Sequence, residues 1–196
     1  MLKLHTYIAN EMNYMNISPT EKYLDLMKIV RTRFDLIEEV RKVNGDKFLI
    51  AETCGFHFRK ILEAIGSGCL IALEHGTKNI HDNFKYCYKP DQVFRLLKKK
   101  NQNILPSPSI IREATQNEEI LHHVKVTIEG QPQKRLTIKD IIDIYSQTND
   151  WNHEINPYSG HNRNTFYNHN APILWENLIK IWVFIEKHIV SINGSA

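Results

Sequence analysis

Long uncharged apolar runs, paired cysteines and phosphate-binding glycine motifs are all missing from this chain of 196 residues. No segment provides about eighteen apolar residues free of charge, so a membrane span is not expected. The opening MLKLHTYIANEMNYMN lacks the apolar run of a signal peptide. The three cysteines match no zinc spacing and cannot all pair, which makes a reducing cytoplasm the simplest setting. No GxSxG occurs, and the eight glycines form no phosphate loop.

The composition that remains is typical of a globular protein. Hydrophobic residues make up 42% and charged residues 24% of the chain, which argues against disorder. A chain of this length buries a sizeable core without disulfides, so a single helical domain is predicted over residues 1–196. The net charge of +3 permits an anionic partner such as RNA without requiring one.

Apolar residues recur every three or four positions over most of the chain, which predicts amphipathic helices. The predicted helices are one from Ser18-Pro19 to about Asn44-Gly45, a central one over about 46–75, a short one after Pro90, one over IKDIIDIYSQT opened by Thr137 and Asp140, and a last one from Asn170 through Ile189.

One segment has the period of a strand instead. Val124, Val126 and Ile128 alternate with polar residues, and Gly130-Gln131-Pro132 can turn the chain into a partner, QKRLT. The preceding LPSPSII predicts an extended connection, because proline disfavours a helical residue before it. The predicted fold is therefore mainly α, a helical bundle of four to five helices with one inserted β-hairpin at about 119–137.

A polar stretch, NDWNHEINPYSGHNRNTFYNHN (149–170), lies between the last two predicted helices. Its histidines, His153, His161 and His169, are eight residues apart, which matches no zinc template, so no metal or other cofactor is expected. A metal-dependent hydrolase that uses the three histidines stays an alternative, and the purified protein would then contain zinc or manganese. Within it, RNTFYNH (163–169) precedes the last predicted helix. The fork of donors on Arg163 suits phosphate oxygens, and a histidine can move the proton of a ribose 2′-hydroxyl near neutral pH.

This Arg-x5-His segment, with Asn164 after the arginine, resembles the motif of the HEPN superfamily of small helical bundles. The resemblance implies a metal-independent endoribonuclease of a toxin–antitoxin or phage-defence system, which cleaves RNA by 2′-hydroxyl attack. It implies catalytic roles for Arg163, His169 and Asn164, with an antitoxin or another protein as a further partner. It also implies a homodimer in which the arginine and histidine of both chains face one another.

A second pair competes for the catalytic role. Glu52, Arg59 and Glu63 form a charged stripe along the central helix, which either pairs internally or lines a cleft. In the second case Arg59 would face the polar stretch and act with His153. Three further polar-stretch residues are predicted to contact substrate: His161, Asn156 and Tyr158.

The alternative to catalysis is a binding function that uses the same stretch. The aromatic residues of the polar stretch, Trp151, Tyr158, Phe166 and Tyr167, could form the contact surface of a helical interaction protein. Under the enzyme hypothesis the charged residues would be needed for activity, and under the binding hypothesis the aromatic residues would matter more.

Overall fold

A computed structural model of the chain describes residues 17–76, 90–99, 105–113, 126–153 and 162–190. These residues form a helical bundle with a small antiparallel sheet, which confirms the predicted fold class. The elements are α1 (Pro19–Arg41), α2 (Lys47–Gly76), α3 (Pro90–Lys99), β1 (Ser107–Glu113), β2 (Val126–Gly130), α4 (Ile138–Gln147), α5 (Arg163–Ile185) and β3 (His188–Ile189), with short 3-10 segments at 132–134 and 148–151.

Helices α1 and α4 begin where their local sequence predicts. Ser18 accepts a hydrogen bond from the Glu21 backbone N–H, and the Glu21 carboxylate accepts one from the Ser18 N–H. Thr137 and Asp140 make the same reciprocal pair at the start of α4. Each pair satisfies backbone donors that the first turn of a helix leaves unbonded.

Helix α2 is the centre of the core, as its nearly uniform apolar composition predicts. Its fully buried side chains include Phe58, Ile61 and Leu62. Cys54 and Cys69 are also buried in it, and burial raises the pKa of Cys54 to about 11 and that of Cys69 to about 12. Both thiols therefore act as small apolar groups and not as nucleophiles.

The predicted strand around Val126 and Ile128 is present, but it pairs with a different segment from the one predicted. β2 pairs with β1, with Ile111 opposite Ile128, and β1 lies between β2 and β3. The QKRLT segment is not a strand, because Pro132 opens a 3-10 turn and Thr137 is used as the cap of α4. The predicted hairpin bounds of about 119–137 are therefore wrong, because the strand partner lies earlier in the chain, in the LPSPSII region.

Helix α5 begins seven residues before the predicted start at Asn170. The Asn162 side chain accepts a hydrogen bond from the Thr165 backbone N–H, and Pro172 lies inside the helix. Phe166 explains the early start, because its ring packs 5.0 Å from that of Trp151. The helix also ends before Ile189, which lies in β3. No helix among the described residues is long and apolar enough to cross a membrane.

Candidate functional site

Arg163 is the first residue of α5. It is exposed, and its guanidinium carbon lies 5.1 Å from the centre of the Phe48 ring at the start of α2. The next residue, Asn164, is exposed as well. The first turn of a helix favours anions because its backbone N–H groups point outward. Arg163 and Asn164 therefore present hydrogen-bond donors at a helix end that favours negative charge.

His169 lies on the same helix, six positions after Arg163, and is exposed. Six residues of an α-helix correspond to a rise of about 9 Å and a rotation of about 240°. The two side chains therefore leave the helix on different faces. Within one chain they do not converge on a common point, whereas the loop predicted from the sequence could have brought them together.

His169 lines a cavity of about 240 Å³ between α5 and the end of α4. Its apolar lining comes from the core and includes Phe58, Ile144 and Leu174. Its polar lining consists of Gln147, Thr148, His169, Asn170 and Asn177.

Asn177 is a buried polar residue, only 6% exposed, on the core side of α5. Its amide nitrogen donates to Gln147 Oε1 at 2.6 Å. Neither residue was singled out from the sequence. The available signal was an asparagine between the apolar positions Leu174 and Leu178 of the predicted stripe, because buried polar residues are the informative exceptions.

Arg59 is held by side chains on three sides. Its Nε lies 3.2 Å from Glu63 Oε1, and its two terminal nitrogens donate to Tyr145 Oη and Asn149 Oδ1. The guanidinium also lies over the Tyr145 ring, 4.3 Å from its centre. Burial raises the pKa of the Tyr145 hydroxyl, which keeps it protonated at neutral pH. This geometry agrees with the internally paired alternative for the charged stripe, although Glu52 forms no ion pair with a described residue.

His153 follows the 3-10 segment at 148–151 and is exposed. No hydrogen bond or ion pair of the described residues joins it to Arg59. His161, Asn156 and Tyr158 lie outside the described residues. Trp151, one of the proposed contact aromatics, is only 4% exposed and packs against Gly55 of α2. The polar stretch therefore contributes its one tryptophan ring to the core.

A second polar group links α1 to β3. The Tyr23 hydroxyl lies 2.6 Å from His188 Nε2, and His188 Nδ1 lies 2.7 Å from the Ile185 carbonyl oxygen. A carbonyl oxygen only accepts hydrogen bonds, so His188 Nδ1 carries the hydrogen and donates it to Ile185. In this neutral ring Nε2 is the acceptor, and the Tyr23 hydroxyl donates a hydrogen bond to it. Burial lowers the pKa of His188 and raises that of Tyr23, so both groups stay neutral near pH 7.

Within the part of the chain that the structure describes, no cluster of three or more histidine, cysteine or carboxylate side chains could hold a metal ion. Comparisons of the chain with models of protein families, with curated proteins and with solved structures give no match.

Proposed function

We propose that this protein is a metal-independent endoribonuclease in which Arg163 and His169 act on the scissile phosphodiester. The observation that carries the proposal is the placement of both side chains, exposed, in the first two turns of α5. An arginine at a helix N-terminus suits a phosphate group on two counts, through its own charge and through the neighbouring backbone N–H groups.

The chemistry needs a proton acceptor and a stabiliser of charge. His169 takes the proton of the ribose 2′-hydroxyl, whose oxygen then attacks phosphorus. Arg163 stabilises the charge that develops on the non-bridging oxygens. The bond from phosphorus to the 5′-oxygen breaks, and this oxygen takes a proton from water and leaves as a 5′-hydroxyl. The protonated His169 then returns its proton to the resulting hydroxide, which restores water. The other product ends in a 2′,3′-cyclic phosphate.

Arg163 and His169 leave one helix on different faces, so a single chain does not bring them to one phosphate. A second copy of the chain can supply the missing group. In a twofold dimer, the arginine of one chain can meet the histidine of the other on one phosphodiester. Such a dimer needs a self-complementary surface, since a twofold interface uses the same patch on both subunits.

An apolar face on the first two helices suits that dimer. On α1 and just after it, the exposed residues Ile29, Leu36 and Val43 recur every seven positions, the repeat of helix-pairing seams. Leu49 and Phe56 are exposed at the same spacing on α2. The α1–α2 apolar face is defined here as the large exposed members Ile29, Leu36, Val43, Leu49 and Phe56, which are 41% to 59% exposed.

The size and position of the α1–α2 apolar face favour a second copy. Five such side chains expose on the order of 400 Å² of apolar surface, which lies within the roughly 300–600 Å² of the largest patch on an ordinary monomer, a patch that is often functional. A standard interface buries about 800 Å² per partner, so this patch would supply an apolar core that polar neighbours complete. Leu49 is adjacent to Phe48, the residue under the Arg163 guanidinium, so one end of the face borders the proposed site.

The function is tested by incubating purified protein with mixed cellular RNA in excess EDTA. Arg163→Ala and His169→Ala should each reduce cleavage by about 10²-fold or more. The matched controls Arg31→Ala and His153→Ala, also exposed, should retain it. Cleavage that persists in folded Arg163 and His169 variants would contradict the assignment, and its loss in His153→Ala would transfer the role to the pair Arg59 and His153.

The dimer is tested by analytical ultracentrifugation. Leu36→Glu and Phe56→Glu should produce monomers without cleavage, whereas Ile179→Glu, at a position 63% exposed on α5 outside the face, should remain dimeric. A monomeric wild-type protein that cuts RNA would contradict the two-chain site.

The exposed α1–α2 apolar face also favours a second candidate, a helical interaction protein without catalysis. No cleavage of any RNA, together with monomeric wild-type protein, would favour this candidate over the nuclease.

A further inference from the structure

The cavity beside His169 has the construction of a small ligand site. Its floor is apolar and continuous with the core through Phe58, Ile144 and Leu174, while polar side chains occur on its walls. Binding sites for organic ligands combine such apolar surface with a few placed polar groups. Its volume of about 240 Å³ lies below the roughly 300–1,000 Å³ of drug-sized pockets, so it fits one ring system and not a whole nucleotide.

Asn177 gives the cavity an unused acceptor. Its amide nitrogen donates to Gln147 Oε1, but the described residues provide no partner for its Oδ1 atom. No fully buried side-chain nitrogen or oxygen of the described residues lacks a hydrogen-bond partner. Asn177 is only 6% exposed and lines the cavity, so the cavity is the space in which a ligand can reach its Oδ1 atom.

Gln147 complements this acceptor with a donor. Its Oε1 atom is used by Asn177, which leaves its amide nitrogen available to donate. The cavity lining therefore includes an acceptor, Asn177 Oδ1, and a donor, the Gln147 amide nitrogen, on two amides that one hydrogen bond joins. Every nucleobase carries a donor and an acceptor next to each other on one edge, and paired amide contacts to such edges are a common mode of base recognition.

From these features we propose that the cavity binds one unpaired nucleobase of the RNA substrate through the amides of Asn177 and Gln147. His169 lies on the cavity wall. A nucleobase bound in the cavity would therefore place its ribose at the cavity mouth, where His169 can accept the proton of the 2′-hydroxyl. The cavity then selects which nucleotide is cut. The assignment of RNA as the source of the base rests on the proposed function, whereas binding of a free nucleoside does not.

The test is calorimetric titration of the full-length protein with adenosine, cytidine, guanosine and uridine. These probes lack the phosphate that Arg163 would hold, so binding is measured apart from cleavage. We expect saturable binding of at least one nucleoside in the high-micromolar range, as the small number of contacts allows. Asn177→Leu and Gln147→Ala should each weaken it about tenfold or more.

Two controls isolate the cavity. Ser146→Ala, at an exposed position next to Gln147 whose hydroxyl donates to the Ile142 carbonyl, should bind nucleoside as the wild type does. Arg163→Ala should also bind nucleoside as the wild type does, even though it should reduce RNA cleavage about 10²-fold or more. If burial of Asn177 makes its variant unstable, the exposed Gln147→Ala carries the test alone.

The outcomes separate the two proposals. Saturable binding that both amide variants weaken supports the base pocket, and a matching nucleotide preference in RNA cleavage supports its place in the nuclease. Binding of no nucleoside, or binding that is indifferent to folded Asn177 and Gln147 variants, overturns the pocket even if RNA is cut. Nucleoside binding by a protein that cuts no RNA retains the pocket and overturns its assignment to a ribonuclease.

Discussion

Replacement of Gly55 by alanine should destabilise the protein, although alanine is the better helix former. A Cβ atom at Gly55 would lie 2.7 Å from Trp151 Cβ and 3.0 Å from Trp151 Cγ, well inside the carbon–carbon contact distance of about 3.5–4.0 Å. Neither atom is the far end of a flexible side chain. The Trp151 ring is further fixed between Phe48 and Phe166, with centres 6.0 and 5.0 Å away.

The expected magnitude follows from two opposing contributions. Alanine in a helix interior stabilises by about 1 kcal/mol relative to glycine. Overpacking of a filled core costs typically 1–3 kcal/mol, and contact with atoms this close to the main chain favours the upper half of that range. The net loss in the free energy of unfolding should be about 1–2 kcal/mol, equivalent to roughly 2–4 °C in Tm per kcal/mol for a chain of this length.

Urea unfolding followed by circular dichroism measures this change. Gly45→Ala, whose new Cβ would meet nothing closer than 3.9 Å, serves as the open control. Gly68→Ala should be intermediate, because its nearest neighbour is the Tyr23 ring edge at 3.0 Å. A Gly55→Ala protein as stable as the wild type would refute the close packing of Trp151 against α2.

Three further predictions concern charge. Acidification should destabilise the protein first through His188 and His57, since burial lowers the pKa of each below its ordinary 6.5. Below about pH 6.5 the unfolded chain binds more protons at these histidines than the folded chain does. Their contribution to the free energy of unfolding is therefore complete above about pH 6.5 and declines below it. Urea unfolding between pH 8 and 5 should show this decline, and His188→Gln should make it smaller. Hydrogen bonds to Ser18 and Thr137 lower the pKa of Glu21 and of Asp140, so their contribution should be lost only below about pH 4.5. Arg59→Ala should lower the free energy of unfolding by about 1–3 kcal/mol, because Tyr145 and Asn149 lose a charged donor, and Arg59→Lys should recover only part of it. Loss of RNA cleavage in a folded Arg59→Lys protein would contradict this purely structural role.

The sequence predicts those features of the fold that depend on residues close together in the chain. The capping pairs Ser18–Glu21 and Thr137–Asp140 lie three residues apart, so their sequence alone indicates where α1 and α4 begin. The apolar composition of α2 likewise indicates its central position, because a helix that is apolar on most sides buries most of its surface against other elements, although Leu49 and Phe56 remain exposed.

The start of α5 depends on tertiary contacts that local sequence does not reveal. Pro172 looks like a first-turn residue because proline is favoured there, and the polar residues before it resemble a loop. Packing of Phe166 against Phe48 and Trp151 stabilises a helix through these residues. The partner of β2 was hidden for a similar reason, since proline in LPSPSII argues against a strand that lies between two others.

In the candidate site, too, the sequence indicates the residue types, whereas tertiary structure sets their arrangement. The residue types at Arg163, Asn164 and His169 indicate phosphodiester chemistry from sequence, but their relative orientation follows from the extension of α5 through them. The Asn177–Gln147 pair joins residues 30 positions apart on different helices, and no periodic pattern predicts which amides will meet.

The hydrogen bond between Tyr23 and His188 has a consequence for the order of folding. It joins α1 to β3 across 165 positions, so it closes one of the longest loops that the chain can form. Such contacts form late, because their entropy of closure must be overcome before they stabilise anything. During synthesis, α1 and α2 can pair as soon as both have left the ribosome, whereas the β1–β3 edge must wait for residue 188. Until then, the edge of β1 that β3 covers remains unpaired and open to association with other strands.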